Sequence, residues 1–323
     1  MDSKMVNVAR VHLPSSALPI IESEPIGGMK LAVPTSINPT EGCLPVRERD
    51  AASSLVPFPI RTCTPYLSGM VFQRGEKVVC GSASVACYLN SIVGCHASHV
   101  DAATALEAAR TGQAHEHLFD DSCDRHPSVE LAFEPGCKVE PSLLGGLVAD
   151  LCMGKPPLLS GMRPDLSGAK SISAAIASTT DRFHLDVKGI DRSGISERIE
   201  VNDEIIDGWK DSLPTQDDPD TIVIGCPHLS EKELTRIARA IEGRRPRGQA
   251  RVLFLTSQLA WDKSPRPAMV LEKFGEACCD ACPLLGMDRS TKVLTNGPRL
   301  CNCMSGKGPR ITYAPLDDLL RLL

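Results

Sequence analysis

Two hydrophobic periods alternate along the last third of the chain. Ile222, Val223 and Ile224 form a short continuous apolar run, the pattern of a strand buried on both faces. Leu234, Ile237, Ala238 and Ile241 then recur at helical spacing. Ser230 and Glu233 supply a Ser-x-x-Glu capping box and Gly243 a stop, which predicts a helix over 230–242. The alternation continues with a strand over 251–257 (RVLFLTS), a helix over 267–275 (PAMVLEKFG) and a strand over 291–297 (TKVLTNG). Such a series predicts α/β architecture with parallel-sheet units, whose ligands sit beyond the carboxyl ends of the strands. Cys226, Thr256, Ser257, Thr295 and Asn296 all fall at these ends.

Cys226 is expected in the turn between the first strand and its helix. Backbone N–H groups and the positive end of a helix dipole stabilise a thiolate or an anion in such a turn. A small buried apolar role is the alternative, since free cysteine is among the most buried residues. Upstream, the segment 77–94 is apolar and rich in small residues, and helices are expected over 100–112 and 167–178. The polar, proline-bearing stretch 211–221 reads as a linker, dividing the chain into an α/β region over 1–215 and an α/β domain over 216–323.

Composition narrows the function classes. A net charge of -5 argues against a general nucleic-acid binder, and the basic run 243–251 reads as a solvated loop. Aromatics make up only 4%, too few for a base-stacking platform. No apolar run reaches membrane-spanning length and the N-terminus lacks a signal-peptide pattern, so a soluble, cytoplasmic protein is expected, with no membrane partner. The 14 cysteines are then expected as reduced thiols rather than a disulfide scaffold.

Isolated motifs are ambiguous. Cys279 and Cys282 form a Cys-x-x-Cys pair and Cys301 with Cys303 adds two thiols, but the second spacing is wrong for a zinc ribbon. No Gly-x-Ser-x-Gly elbow, dinucleotide fingerprint or P-loop is present.

A combination of motifs is more specific. RTCTPYLSG (61–69), GCPHLS (225–230) and CDACP (279–283) occur in order with LAVPTSINP (31–39), LNSIVG (89–94) and VLTNG (293–297). In this the chain resembles the large, catalytic subunit of aconitase X, from about residue 6 to its end. The resemblance implies an aconitase-like multi-domain α/β fold with parallel sheets flanked by helices. It also implies a carbon–oxygen lyase that dehydrates a small hydroxy acid.

An iron-sulfur cluster or iron is implied as cofactor, held by Cys63, Cys226 and Cys282 with one coordination position left for substrate. Thiolates suit such a centre, and incompletely coordinated iron is a Lewis acid able to hold a hydroxyl or carboxylate oxygen. His12, Ser84 and His117 become catalytic candidates. Asn38, Tyr66, Asn90, Ser91, His228, Thr295 and Asn296 become substrate-binding candidates. Each also has a plain structural reading, as a surface or satisfied histidine or as a turn residue bonding the backbone. Cys301 and Cys303 have no counterpart in the implied ligand set.

Three features depart from the pattern. TNGPR (295–299) carries Gly297 and Arg299 where the family has serine and lysine, and GCHAS (94–98) lacks an arginine that could bind a carboxylate. The chain also begins some tens of residues late. No segment resembles the small swivelling domain that supplies an active-site serine, so a small swivel-domain subunit is the expected partner. The altered arginine segment weakens the case for a phosphorylated substrate and favours cis-3-hydroxy-L-proline. Mevalonate 5-phosphate, and a diverged, inactive metal-binding paralogue, are the alternatives. The general base is not identified by sequence.

Overall fold

The computed structural model describes residues 4–22, 30–39, 42, 60–119, 126–214, 218–246, 248–283, 285, 287–288, 290–304 and 309–323. Three sheets, each wholly parallel, form the frame. The first has the order Thr35–Ile37, Arg10–Leu13, Lys77–Cys80, His96–His99. The second runs Glu197–Val201, Val129–Phe133, Pro157–Ser160, His184–Leu185. The third runs Glu276–Cys279, Arg251–Thr256, Thr221–Leu229, Lys292–Thr295, Arg310–Tyr313. A short antiparallel pair, Met5–Asn7 with Gln113–His115, flanks the first sheet.

The third sheet follows the apolar pattern directly. Ile222 and Ile224 face Leu234, Ile237 and Ile241, while Val223 faces the opposite side with Leu253, Leu255 and Val293. Alternate side chains of one strand thus enter two cores, which is why the run had to be continuously apolar. The predicted helix is Glu231–Ile241, with both arms of the Ser230/Glu233 capping box formed. Two strands of this sheet were not anticipated, Glu276–Cys279 and Arg310–Tyr313. Both are four-residue edge strands, defined by pairing to a neighbour rather than by a periodic pattern of their own.

The other predicted elements keep their kind and shift at their ends, while the strands of the second sheet had no counterpart in the sequence pattern. The helix expected over 267–275 is Pro265–Leu271, starting on a proline that needs no N–H at the first turn. The helices over 100–112 and 167–178 are Ala102–Thr111 and Leu166–Ile176, each opened by an aspartate that accepts backbone N–H groups. The segment 77–94 divides into the strand Lys77–Cys80 and the helix Ala83–Tyr88, which continues as a π-helical turn over Leu89–Val93. The boundary expected at 215/216 lies outside the described residues. Among those described, no helix is long and apolar enough to cross a membrane.

Leu166–Ile176 is the hub of the largest core. Ile172 is fully buried in one core with Val78 of the first sheet, Leu131 of the second and Leu147 of the helix Pro141–Cys152. Replacing Ile172 with alanine should lower unfolding free energy by about 2–5 kcal/mol, the cost of an unfilled core site. Urea unfolding followed by circular dichroism reads this directly, and a change below about 1 kcal/mol would place Ile172 outside the core.

Candidate active site

The carboxyl ends of the first and third sheets open on one cavity of about 170 Å³. From the first sheet come Asn38, just past Thr35–Ile37, and Ser82 and Ser84, just past Lys77–Cys80. From the third come Cys226 and Cys282, and Cys63 enters from the chain between. An isolated bridge from Ile37 to Arg61 carries that intervening segment off the edge of the first sheet. Three thiols 163 and 56 residues apart in sequence therefore line a single cavity.

The local chain path explains how Cys226 gets there. Thr221–Leu229 does not end at Gly225 as the sequence suggested; it continues to Leu229 through a register shift against Arg251–Thr256. Gly225 has φ +105°, and a Cβ on it would lie 2.5 Å from Leu229 Cγ and 2.7 Å from the Leu255 carbonyl oxygen. Only glycine fits such a position without strain. The next peptide, Cys226–Pro227, is cis. Asn296 Oδ1 accepts from Gly225 N at 3.0 Å, and Thr256 Oγ1 donates to the Leu229 carbonyl at 2.7 Å. Cys226 thus sits on a kink inside a strand, and the helix N-terminus is capped by its own Ser230 and Glu233 rather than aimed at the thiol.

His228 ties the three cysteine segments together. Its Nε2 lies 2.8 Å from the Ala281 carbonyl, so that nitrogen donates. Nδ1 is then the acceptor for Thr62 Oγ1 at 2.9 Å, and Thr62 Oγ1 in turn accepts from Thr64 N at 3.1 Å. The His228 backbone N–H donates to Cys63 Sγ at 3.3 Å. One residue, two beyond Cys226, therefore holds the neighbours of Cys63 and Cys282 as well as the Cys63 sulfur. His228, a substrate-binding candidate by sequence, lines the cavity with its ring nitrogens engaged by Thr62 and Ala281, and so braces the cysteine segments.

Lys170 fixes the brace from behind. Its Nζ donates to the His228 carbonyl at 2.8 Å and to both Glu233 oxygens at 2.8 and 2.6 Å. Burial alone would raise Glu233, but the adjacent Lys170 charge and the Ser230 donors outweigh it and hold the carboxyl below its ordinary 4.5. Burial pushes the Cys63 thiol up to about 12, opposed by the His228 N–H and Lys170, with neighbouring Cys282 adding to the rise. Sequence reading passed over Lys170. Its signal was a lone lysine in a helix otherwise built of small and apolar residues.

The remaining candidates separate into those at the cavity and those away from it. Ser84 lines it, paired with Ser82 at 3.0 Å between hydroxyl oxygens. His12 lies behind Asn38, fully buried, with Nε2 3.0 Å from Asn38 Oδ1 and Nδ1 2.8 Å from Ser36 Oγ. Burial pulls its pKa down to about 4, so the ring is neutral and orients Asn38. Asn90 bonds both backbone groups of Ala97, by Nδ2 to O at 3.0 Å and N to Oδ1 at 2.7 Å. Ser91 Oγ accepts from Phe183 N at 2.9 Å. Tyr66 stacks on Tyr88 with ring centroids 3.6 Å apart. Thr295 is fully buried and caps the following turn by accepting from Gly297 N at 3.0 Å, while Asn296 holds Gly225. His117 is exposed and packs on His115, outside the cavity.

Among the described residues, no three His, Cys, Asp or Glu side chains converge closely enough to hold a single ion. Three thiols spread around one cavity suit a group of several atoms, and thiolates are the donors of iron-sulfur clusters. The zinc alternative does not assemble: Cys279 is buried in one core and Cys301 packs on another. The Cys303 side chain lies outside the described residues.

Gly297, noted in the sequence as replacing a serine, has a steric reason. A Cβ there would lie 2.5 Å from the Cys226 carbonyl oxygen and 2.6 Å from Cys226 Cβ. The cysteine segment is packed directly on the glycine.

Comparison with known proteins agrees with this geometry. Residues 219–322 match the family described as the aconitase X third domain. The chain is 25% identical over 334 residues to the phosphomevalonate dehydratase large subunit of Aeropyrum pernix, covering 92% of this chain and 83% of that protein. It is 24% identical over 327 residues to the cis-3-hydroxy-L-proline dehydratase of Hypocrea jecorina, covering 86% of this chain and 54% of that protein. The crystal structure of holo-form aconitase X from Thermococcus kodakaraensis has the same fold, with a TM-score of 0.76 at 20% identity over 98% of this chain and 90% of that one. The aconitase X resemblance and the α/β fold with parallel sheets flanked by helices are thereby borne out.

Two outcomes follow from the packing around the cysteines. Lys170→Met strands the Glu233 carboxylate and should cost about 3–5 kcal/mol, much of it recovered in the Lys170→Met/Glu233→Leu double variant. Because Lys170 holds folded Glu233 below its ordinary 4.5 while burial without Lys170 raises that carboxyl in the single variant, the wild type's advantage grows with pH until the variant's raised carboxyl has ionised, and fades as pH falls through the wild type's depressed value. Denaturant midpoints across pH 3–7 check both the size and the sign, with the range set by ordinary carboxylate titration at about 4. Gly297→Ser should displace the Cys226 segment and lower thermal stability by several degrees, read by calorimetry; an unchanged midpoint would mean the segment yields freely.

Proposed function

We propose that this chain is the large subunit of an aconitase X-type hydro-lyase that dehydrates a small hydroxy acid. The carrying observation is the convergence of Cys63, Cys226 and Cys282 on one cavity between the carboxyl ends of two parallel sheets. Its support includes the dehydratase names of its relatives from Aeropyrum pernix, Hypocrea jecorina and Pseudomonas aeruginosa. The term large subunit in the first of these names supports a small-subunit partner.

In this reading the three thiolates hold an iron-sulfur cluster, which supplies a Lewis acid for the departing hydroxyl. The chain's own residues do the rest. His228 fixes Cys63 and the neighbours of Cys282, so the donor atoms are preorganised before substrate arrives. Neutral His12 donates to Asn38 Oδ1, leaving the Asn38 amide N–H groups to bind a substrate oxygen. Ser82 and Ser84 place two hydroxyls on the same wall. Among the described residues lining the cavity there is no carboxylate, and the one histidine, His228, has its ring nitrogens bonded to Thr62 and Ala281. Closure by the small subunit would exclude water.

Mevalonate 5-phosphate is the second reading of the substrate, favoured by the 83% coverage of the Aeropyrum pernix large subunit against 54% of the Hypocrea jecorina enzyme. For the site itself, Cys63→Ser, Cys226→Ser and Cys282→Ser should each reduce bound iron and the charge-transfer absorption of anaerobically purified protein. Cys301→Ser combined with Cys303→Ser should leave both unchanged. Equal iron loss in the two groups of variants would displace the assignment. Turnover of either hydroxy acid, followed as unsaturated product, is expected only when a small subunit is co-expressed, and turnover by the chain alone would remove that requirement.

A further inference from the structure

A second, smaller cavity of about 30 Å³ adjoins the cysteine segment. Gly225, Cys226 and Pro227 line both cavities, and no other described residue is common to the two. The walls of the smaller one are polar. Glu140 stands at the start of Pro141–Cys152, Lys170 and Ser171 on Leu166–Ile176, Glu233 and Arg236 on Glu231–Ile241, and Asn296 just past Lys292–Thr295. Two carboxylates thus face two cations, and their formal charges cancel.

A donor and an acceptor in this cavity are left over by the protein's own bonds. Asn296 is only 8% exposed, and because its Oδ1 accepts from Gly225 N, the other arm of the amide is Nδ2. Among the described residues nothing accepts from that Nδ2. Glu140 Oε2 takes the Ser142 hydroxyl and Leu143 N. Its Oε1 meets only Arg236 Nη1 among the described residues, at 3.7 Å, too far for a hydrogen bond. Lys170 serves neither, because its three protons go to the His228 carbonyl and the two Glu233 oxygens. A water accepts from the first kind of group and donates to the second, and a polar contact beyond about 3.5 Å is where one is expected. A volume of about 30 Å³ admits about two waters and no organic ligand, and cancelled charge gives an ion no net attraction. Ser167, Glu233 and Arg236 also line a wider surface cleft of about 650 Å³, which gives solvent its way in.

We infer that this cavity is a built water site through which Asn296 positions the Cys226 segment: about two ordered waters join the Asn296 amide to Glu140, and the amide so held keeps its Oδ1 on the Gly225 N–H beside the cysteine. The inference does not rest on the hydro-lyase reading. Its test uses the anaerobically purified full chain and the variants Asn296→Leu and Ser167→Leu. Ser167 is half-buried where the cavity meets the outer cleft, so leucine there takes up the space of the waters and leaves the Asn296–Gly225 bond its partners. Crystal structures at a resolution that shows ordered water are determined for all three proteins. Amide hydrogen exchange of Gly225 is measured relative to the other amides of Thr221–Leu229.

The wild type should show a water on Asn296 Nδ2 that reaches Glu140 directly or through a second water, and both variants should lose it. Gly225 should exchange about threefold faster or more in both, the effect of weakening one hydrogen bond. A general loss of stability moves the amides of the strand together and leaves that ratio unchanged, so the readout is specific to the Asn296 contact. A wild type with no water on Nδ2, or an Asn296→Leu variant that keeps the water, overturns the site. A Ser167→Leu variant that has lost the water and still exchanges Gly225 at the wild-type ratio overturns the positioning role. Should Asn296→Leu fail to fold, the wild-type water and the Ser167→Leu comparison still decide, since that substitution alters none of the bonds of Asn296 to the protein.

Discussion

The imidazole of His228 is the constraint on which the site depends. Cys63 and Cys226 are separated in sequence by two strands of the first sheet and all four of the second, and nothing local could bring them together. The bonds from His228 to Thr62, Ala281 and the Cys63 sulfur do so in a single residue. Because the ring is buried, each of its nitrogens must have a partner, and loss of either would leave an unsatisfied polar atom in the interior. The same requirement that makes a buried histidine expensive to misplace makes it an accurate spacer.

That brace needs its own support, and the support is electrostatic. A lysine in a fully packed helix is costly unless paired, and Lys170 is paired on three sides by Glu233 and the His228 carbonyl. Glu233 is at once the partner of Lys170 and the third residue of the capping box of Glu231–Ile241. Helix start, buried ion pair and cysteine segment are thus one connected network. A change at Lys170 reaches the cavity through hydrogen bonds rather than through contact with any ligand.

Parallel-sheet geometry sets where this network can act. In the third sheet the strand order reverses beside Thr221–Leu229, and in the first it reverses beside Arg10–Leu13. Crevices open at such reversals because successive connections leave on opposite faces. Here the two crevices face each other, so the cavity receives thiols from one side and hydroxyls and a carboxamide from the other. Gly225 and Gly297 let two strand ends approach without side chains between them, which brings Cys226 to the wall.

The sequence alone determined the three central strands of the third sheet and the helices after the first two of them, because burial on both faces and capping at Ser230 are written within a few residues of each element, whereas its two edge strands carry no such pattern. It also marked the three cysteines, since each lies in a compact motif with proline close by. It did not reveal that Thr221–Leu229 runs on past Gly225, because a register shift exists only against a paired strand. Nor could it separate Asn38 and Ser84, which reach the cavity, from Asn90, Ser91 and Tyr66, which bond or stack on neighbouring chain instead. The residue types are alike, and their roles follow from which loop lies opposite. Lys170, and the bracing bonds of His228, were found by tertiary structure alone: their partners lie 53 to 166 positions away, beyond any local pattern, and only the closing of two sheets on each other decides which buried polar groups meet.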